Sequence, residues 1–151
     1  MKKYLIFLFV GLSFIACKSK TNSYNKKDIN ISLIASGNLH GTGSENIEKQ
    51  NLVIKNKVDW TNLLAKMDAT NNVSNTFEET DINFSQYSVI AVFDEVKSSG
   101  GHSIDLDVKR NTDKIIVEVI KNAPNGMATT VITQPFYLAK IKKNNLPIEF
   151  K

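Results

Sequence analysis

Val89-Ile90-Ala91-Val92-Phe93 is an unbroken apolar run of strand length, rich in β-branched residues. A half-buried strand alternates apolar and polar side chains; an unbroken run needs cover on both faces, so it predicts a central strand between two packed layers. The flanking sequence supplies further strands. Ile29, Ile31 and Leu33 alternate with polar neighbours, and Leu52-Val53-Ile54 is a second short apolar segment. After the punctuation Lys97-Ser98-Ser99-Gly100-Gly101, alternation restarts with Ile104, Leu106 and Val108 on one face and Ser103, Asp105 and Asp107 on the other. The cluster Arg110-Asn111-Thr112-Asp113 predicts a turn, making this strand and Ile115 to Ile120 an antiparallel hairpin. Thr130 to Thr133 is predicted to be extended, ending near Pro135, and Phe136 to Lys142 supplies the last strand.

Helical periodicity is confined to one place. Trp60, Leu63, Leu64 and Met67 fall at i, i+3, i+4 and i+7, which predicts a helix from Lys57 to about Ala69. Asn56 is its expected N-cap, and Asp59 favours the positive end of the helix. One amphipathic helix packed on six or seven strands gives an α+β fold dominated by antiparallel sheet.

The N-terminus has a separate logic. Lys2 and Lys3 precede an almost wholly apolar stretch, Tyr4 to Ala16, and Cys17 is the only cysteine. Thirteen helical residues rise only about 20 Å, short of the roughly 30 Å of hydrocarbon a span must cross. The stretch therefore predicts a secretion signal over residues 1–16. Phe14-Ile15-Ala16-Cys17 resembles a bacterial lipobox, with Phe14 where leucine is usual, and so predicts fatty acylation of Cys17. More than one acyl chain anchors stably, where a single chain does not. Residues 17–28 contain one aromatic and no aliphatic side chain, the composition of a flexible tether. Residues 29–151 are expected to form a single domain.

The formal charge of +4 belongs to that leader. Lys2, Lys3, Lys18, Lys20, Lys26 and Lys27 all precede Ile29, leaving 13 basic against 14 acidic residues in the domain. Nucleic-acid binding needs a basic folded face, and the sequence offers none. Lysines of the tether read first as a solvated linker, one that would also sit well against anionic headgroups. The expected location is the bacterial cell envelope, lipid-anchored to a membrane. The lack of an acidic cluster after Cys17 favours the periplasmic side over the cell surface.

Catalytic motifs are missing. No Gly-x-Ser-x-Gly elbow, His-Glu-x-x-His helix or Cys-x-x-Cys pair occurs. The two histidines, His40 and His102, have no metal-ligand spacing, although a zinc site with Asp105 or Asp107 is conceivable. Ser103 adjoins His102, but strand neighbours point to opposite faces and cannot meet. The glycine-rich stretch Gly37 to Ser44 lacks the Lys-Ser/Thr of a phosphate loop and reads as a connection between strands. No enzyme, metal or cofactor is expected.

From Asp81 to Lys143 the order of motifs resembles a known family. It contains Asp81-Ile82-Asn83-Phe84-Ser85, the apolar strand ending at Phe93, and Ser98-Ser99-Gly100-Gly101-His102-Ser103-Ile104. A charged strand and a Pro/Gly loop follow, then Thr133-Gln134-Pro135-Phe136-Tyr137-Leu138. This is similar to the C-terminal domain of PrcB protease-complex subunits. His102 replaces the usual aromatic, and Ser99 stands where threonine is frequent. The resemblance implies a non-catalytic lipoprotein that binds and stabilises a protein partner, possibly an envelope or surface protease. Ser99, Gly100, Gly101 and His102 are the candidate partner-binding residues, because glycines allow close backbone approach. The alternative is a small-ligand-binding or peptidase-inhibitor-like module using its glycine-rich loops.

Overall fold

The computed structural model describes residues 27–40 and 42–151. The predicted signal peptide, Cys17 and the tether as far as Lys26 lie outside the described residues. Among the described residues eight strands form two four-stranded sheets, where the sequence expectation was six or seven strands. In chain order they are β1 (Lys27–Asp28), β2 (Ser32–Leu39), β3 (Gln50–Ile54), helix α1 (Lys57–Met67), β4 (Tyr87–Phe93), β5 (Ser103–Arg110), β6 (Ile115–Asn122), β7 (Gln134–Lys142) and β8 (Ile148–Phe150). One sheet is ordered β2-β7-β4-β3 and the other β1-β5-β6-β8. All pairings are antiparallel except β6 with β8, which is parallel.

The apolar run behaves as its composition requires. β4 lies between β7 and β3, and Ser88 to Phe93 are all buried. Its alternate side chains enter two separate cores. Val89, Ala91 and Phe93 join Trp60, Leu63 and Met67 of α1. Ile90 and Val92 join Ile104, Val108, Ile115 and Val117 of the second sheet. The β2-β7-β4-β3 sheet is thus the middle layer, with the helix on one face and the other sheet on the opposite face.

The helix is set by its predicted cap. Asn56 Oδ1 accepts from the Asp59 amide at 2.9 Å, and Asn56 Nδ2 donates to Asp59 Oδ2 at 2.7 Å, a reciprocal capping arrangement. α1 ends at Met67, two residues before the expected limit. Trp60, Leu63 and Met67 are buried, and Leu64 packs against the same cluster.

Several boundaries differ from the sequence expectation. Ile29 and Ile31 precede β2 and are half-buried, while Leu33 is exposed and Ile34 fully buried. The register slips between Leu33 and Ala35, so Ile34 is a bulge residue that resets which face the strand buries. Gly37 belongs to β2, paired with Phe136, and not to the following loop. Of Thr130 to Thr133, only Thr133 pairs, in an isolated bridge to Lys97. Pro135 lies inside β7, where its carbonyl accepts the Asp94 amide at 3.0 Å. β1 starts the pairing ahead of Ile29, at Lys27 and Asp28, opposite Arg110 and Lys109. β8 was not anticipated.

Candidate partner-binding loops

The predicted residues Ser99 to His102 lie between β4 and β5, at the end of the sheets where the chain from Ala123 to Thr133 also passes. The two segments are laced together. Lys97 and Thr133 exchange backbone hydrogen bonds of 2.7 and 3.0 Å, and the Gly100 amide donates to the Thr129 carbonyl at 3.0 Å. Thr133 Oγ1 donates to the Ser99 carbonyl at 2.9 Å. Asn38 Nδ2, on β2, donates to the His102 carbonyl at 3.3 Å.

Both glycines are demanded by this packing. Gly101 has φ +80°, and a Cβ there would lie 2.9 Å from Pro124 Cβ. A Cβ on Gly100 would lie 2.4 Å from Thr129 Oγ1. Gly100→Ala is therefore expected to cost about 1–3 kcal/mol by overpacking. Adding Thr129→Ala should recover most of that loss in urea denaturation; an undiminished deficit in the double variant would show that the clash lies elsewhere.

Ser99 and His102 do meet: Ser99 Oγ and His102 Nε2 are 3.1 Å apart, both half-buried. The serine paired with the imidazole is thus Ser99, three residues back, whereas adjacent Ser103 bonds to Asn122. Activating a serine nucleophile needs an acid to orient the imidazole. Among the described residues no carboxylate hydrogen-bonds to His102, and no group of three His, Cys, Asp or Glu side chains gathers as a metal site. His40 lies exposed at the end of β2.

An electrostatic anchor beneath the loop was missed in the sequence. Asp94, directly after β4, is 2 % exposed. Lys121 Nζ approaches its carboxylate at 2.5 Å, Lys97 Nζ at 3.2 Å and Lys49 Nζ at 3.9 Å. Burial opposes its ionisation most strongly, but hydrogen bonds from Lys121, the Glu95 amide and Lys97 together outweigh burial and hold the carboxyl below its ordinary value. Lys97 also bonds Glu95 at 2.7 Å, which raises the lysine's affinity for its proton. Buried Gln134 completes the joint, with Nε2 donating to the carbonyls of Ile47 at 2.7 Å and Asp94 at 2.9 Å. The only sequence trace was an acid placed immediately after a buried strand.

Among the described residues, Val96, Met127, Val131 and Ile132 of these two segments belong to the small set of large apolar side chains left exposed. Met127 is wholly in solvent, and Val131 and Ile132 are each 45 % exposed.

No curated protein and no solved structure matches the chain. The PrcB C-terminal family model matches residues 88–142, a span that runs from β4 through β7 and contains both loops. The segment carrying the buried central strand, the Gly100-Gly101 turn and the exposed apolar loop residues is thus similar to the PrcB C-terminal domain.

Proposed function

We propose that the chain is a non-catalytic, lipid-anchored lipoprotein of the bacterial cell envelope that binds and stabilises a protease partner. The observation that carries the binding reading is the exposure of Met127, Val131 and Ile132 on a segment that Thr129 and Thr133 hydrogen-bond to the Lys97–Gly100 turn. Similarity of residues 88–142 to the PrcB C-terminal family supports a protease complex as the setting. The lipobox-like Phe14-Ile15-Ala16-Cys17 supports the anchor, with the domain on the periplasmic side. Tethering both proteins to one membrane raises the effective concentration of each for the other without new contacts. The inhibitor-like reading needs a glycine loop that projects into a groove, whereas Ser99 and Gly100 are hydrogen-bonded to Thr133 and Thr129.

Affinity capture of the chain from its native membrane after cross-linking tests this reading. A protease should co-purify, and Val131→Asp with Ile132→Asp should reduce its recovery at least about tenfold, because charge in an apolar contact is costly. Capture without a protease, or recovery unchanged by the two substitutions, sinks the proposal. Cys17→Ser should move the chain to the soluble fraction, and mass spectrometry of the wild type should find the sulfur acylated.

A further inference from the structure

The two sheets have four outer edges, and three are blunted. β1 has two residues, β8 has three, and β2 carries a bulge whose Ile34 carbonyl is taken by the Glu78 amide at 3.1 Å. Short, bulged or covered edges are how proteins prevent unwanted strand pairing. β3 has none of these devices. Its five residues, Gln-Asn-Leu-Val-Ile, stay in regular register with β4 and include no charge and no proline. Among the described residues, no other segment hydrogen-bonds to its outer backbone.

A groove of about 270 Å³ lies between this edge and α1. Leu52 and Ile54 line it from the strand; Asp59, Asn62, Leu63 and Lys66 line it from the helix. The helical four fall at i, i+3, i+4 and i+7, so they form one stripe along the groove. Asp59 and Lys66 are exposed, and among the described residues neither belongs to an ion pair. They stand seven residues apart, about 10 Å along the helix axis.

We infer that the β3–α1 groove binds an extended segment of a partner protein as a fifth strand of the middle sheet. In an antiparallel pair, alternate residues turn their N–H and C=O groups away from the neighbouring strand, so β3 offers a ladder that only another extended backbone satisfies. Complementary charge defines the segment further: an apolar side chain over Leu52 and Leu63, flanked on the same face by a cation toward Asp59 and an anion toward Lys66. Two flanking residues four apart on a strand are separated by about 13 Å, within reach of both helix charges. The inference depends neither on the partner being a protease nor on the apolar loops.

The test uses the full chain in detergent micelles and three synthetic peptides: acetyl-Lys-Thr-Val-Thr-Glu-amide and its Lys/Lys and Glu/Glu counterparts. Amide hydrogen exchange should slow at alternate residues of Gln50–Ile54 on adding the mixed-charge peptide. That peptide should bind at least about fivefold more tightly than either like-charged one, and Asp59→Asn with Lys66→Gln should erase its advantage. Val131→Asp with Ile132→Asp should leave peptide binding unchanged, which separates this groove from the loops. Unslowed exchange in β3, or equal affinity for the three peptides, overturns the inference. Slowing that grows with protein concentration in the absence of peptide also overturns it, by assigning the edge to a second copy of the chain.

Discussion

Trp60→Ala is expected to destabilise the domain by about 3–5 kcal/mol, the usual cost of emptying a buried aromatic site. Trp60 is 2 % exposed and stands where α1 meets the face of the middle sheet that carries Val89, Ala91 and Phe93. Its indole Nε1 donates to the Thr80 carbonyl at 2.7 Å, so truncation removes both the volume and a tie to the chain leading into β4. Against a total stability of about 5–15 kcal/mol, such a loss moves the protein close to unfolding. Urea denaturation checks it: the midpoint should fall while the slope with denaturant stays constant. Trp60→Phe should cost less, since it keeps most of the packing and loses the donor. A loss below about 1 kcal/mol for the alanine variant would mean that the helix does not seal this core.

Asp94→Ala should cost about 2–3 kcal/mol near neutral pH, through lost charge-assisted hydrogen bonds and a stranded cluster of cations. Removing one partner of a fully buried pair costs more, but Lys97 and Lys121 can turn toward water, with side chains 22 % and 41 % exposed. The pH dependence has a definite sign. Because folding lowers the Asp94 pKa from its ordinary 3.8, the ionised carboxylate contributes stability that is fully present above that value. It disappears as pH falls through the lower folded value. The deficit of the alanine variant should therefore be constant from pH 5 to 8 and shrink below about pH 4. Denaturation curves at pH 7 and pH 3 decide the matter; equal deficits at both would show that Asp94 acts by shape alone.

Elements that bury a repeating pattern were legible in the sequence. The helix, its Asn56 cap, the two-faced strand β4 and the β5–β6 hairpin all followed from periodicity and turn chemistry, because each uses a single local rule. What escaped were features fixed by distant partners. β8 is three residues whose place depends on pairing with Ile115 to Val117, and β1 is two polar residues held by Lys109 and Arg110. The bulge at Ile34 shifts which side chains of β2 are buried, and no alternation rule foresees an inserted residue. At the loops, the sequence pointed to Gly100 and Gly101 as glycines that punctuate two strands and allow close backbone approach, and to His102 beside a serine. It missed that the serine would be Ser99, and it missed Asp94, whose partners Lys49 and Lys121 lie 45 and 27 residues away in the chain. Lone charges acquire meaning only when tertiary structure brings them together.

β4 supplies side chains to two cores at once, and one of those cores is completed by α1, β2 and β3, all of which precede residue 88. The segment that resembles a known family, from β4 through β7, is thus smaller than the unit that must fold together. Cut out on its own, the matched segment would expose Val89, Ala91, Phe93, Phe136 and Leu138 to water. The upstream sixty residues are therefore an obligate lid on that segment, and any substitution in them is felt as a change in its stability.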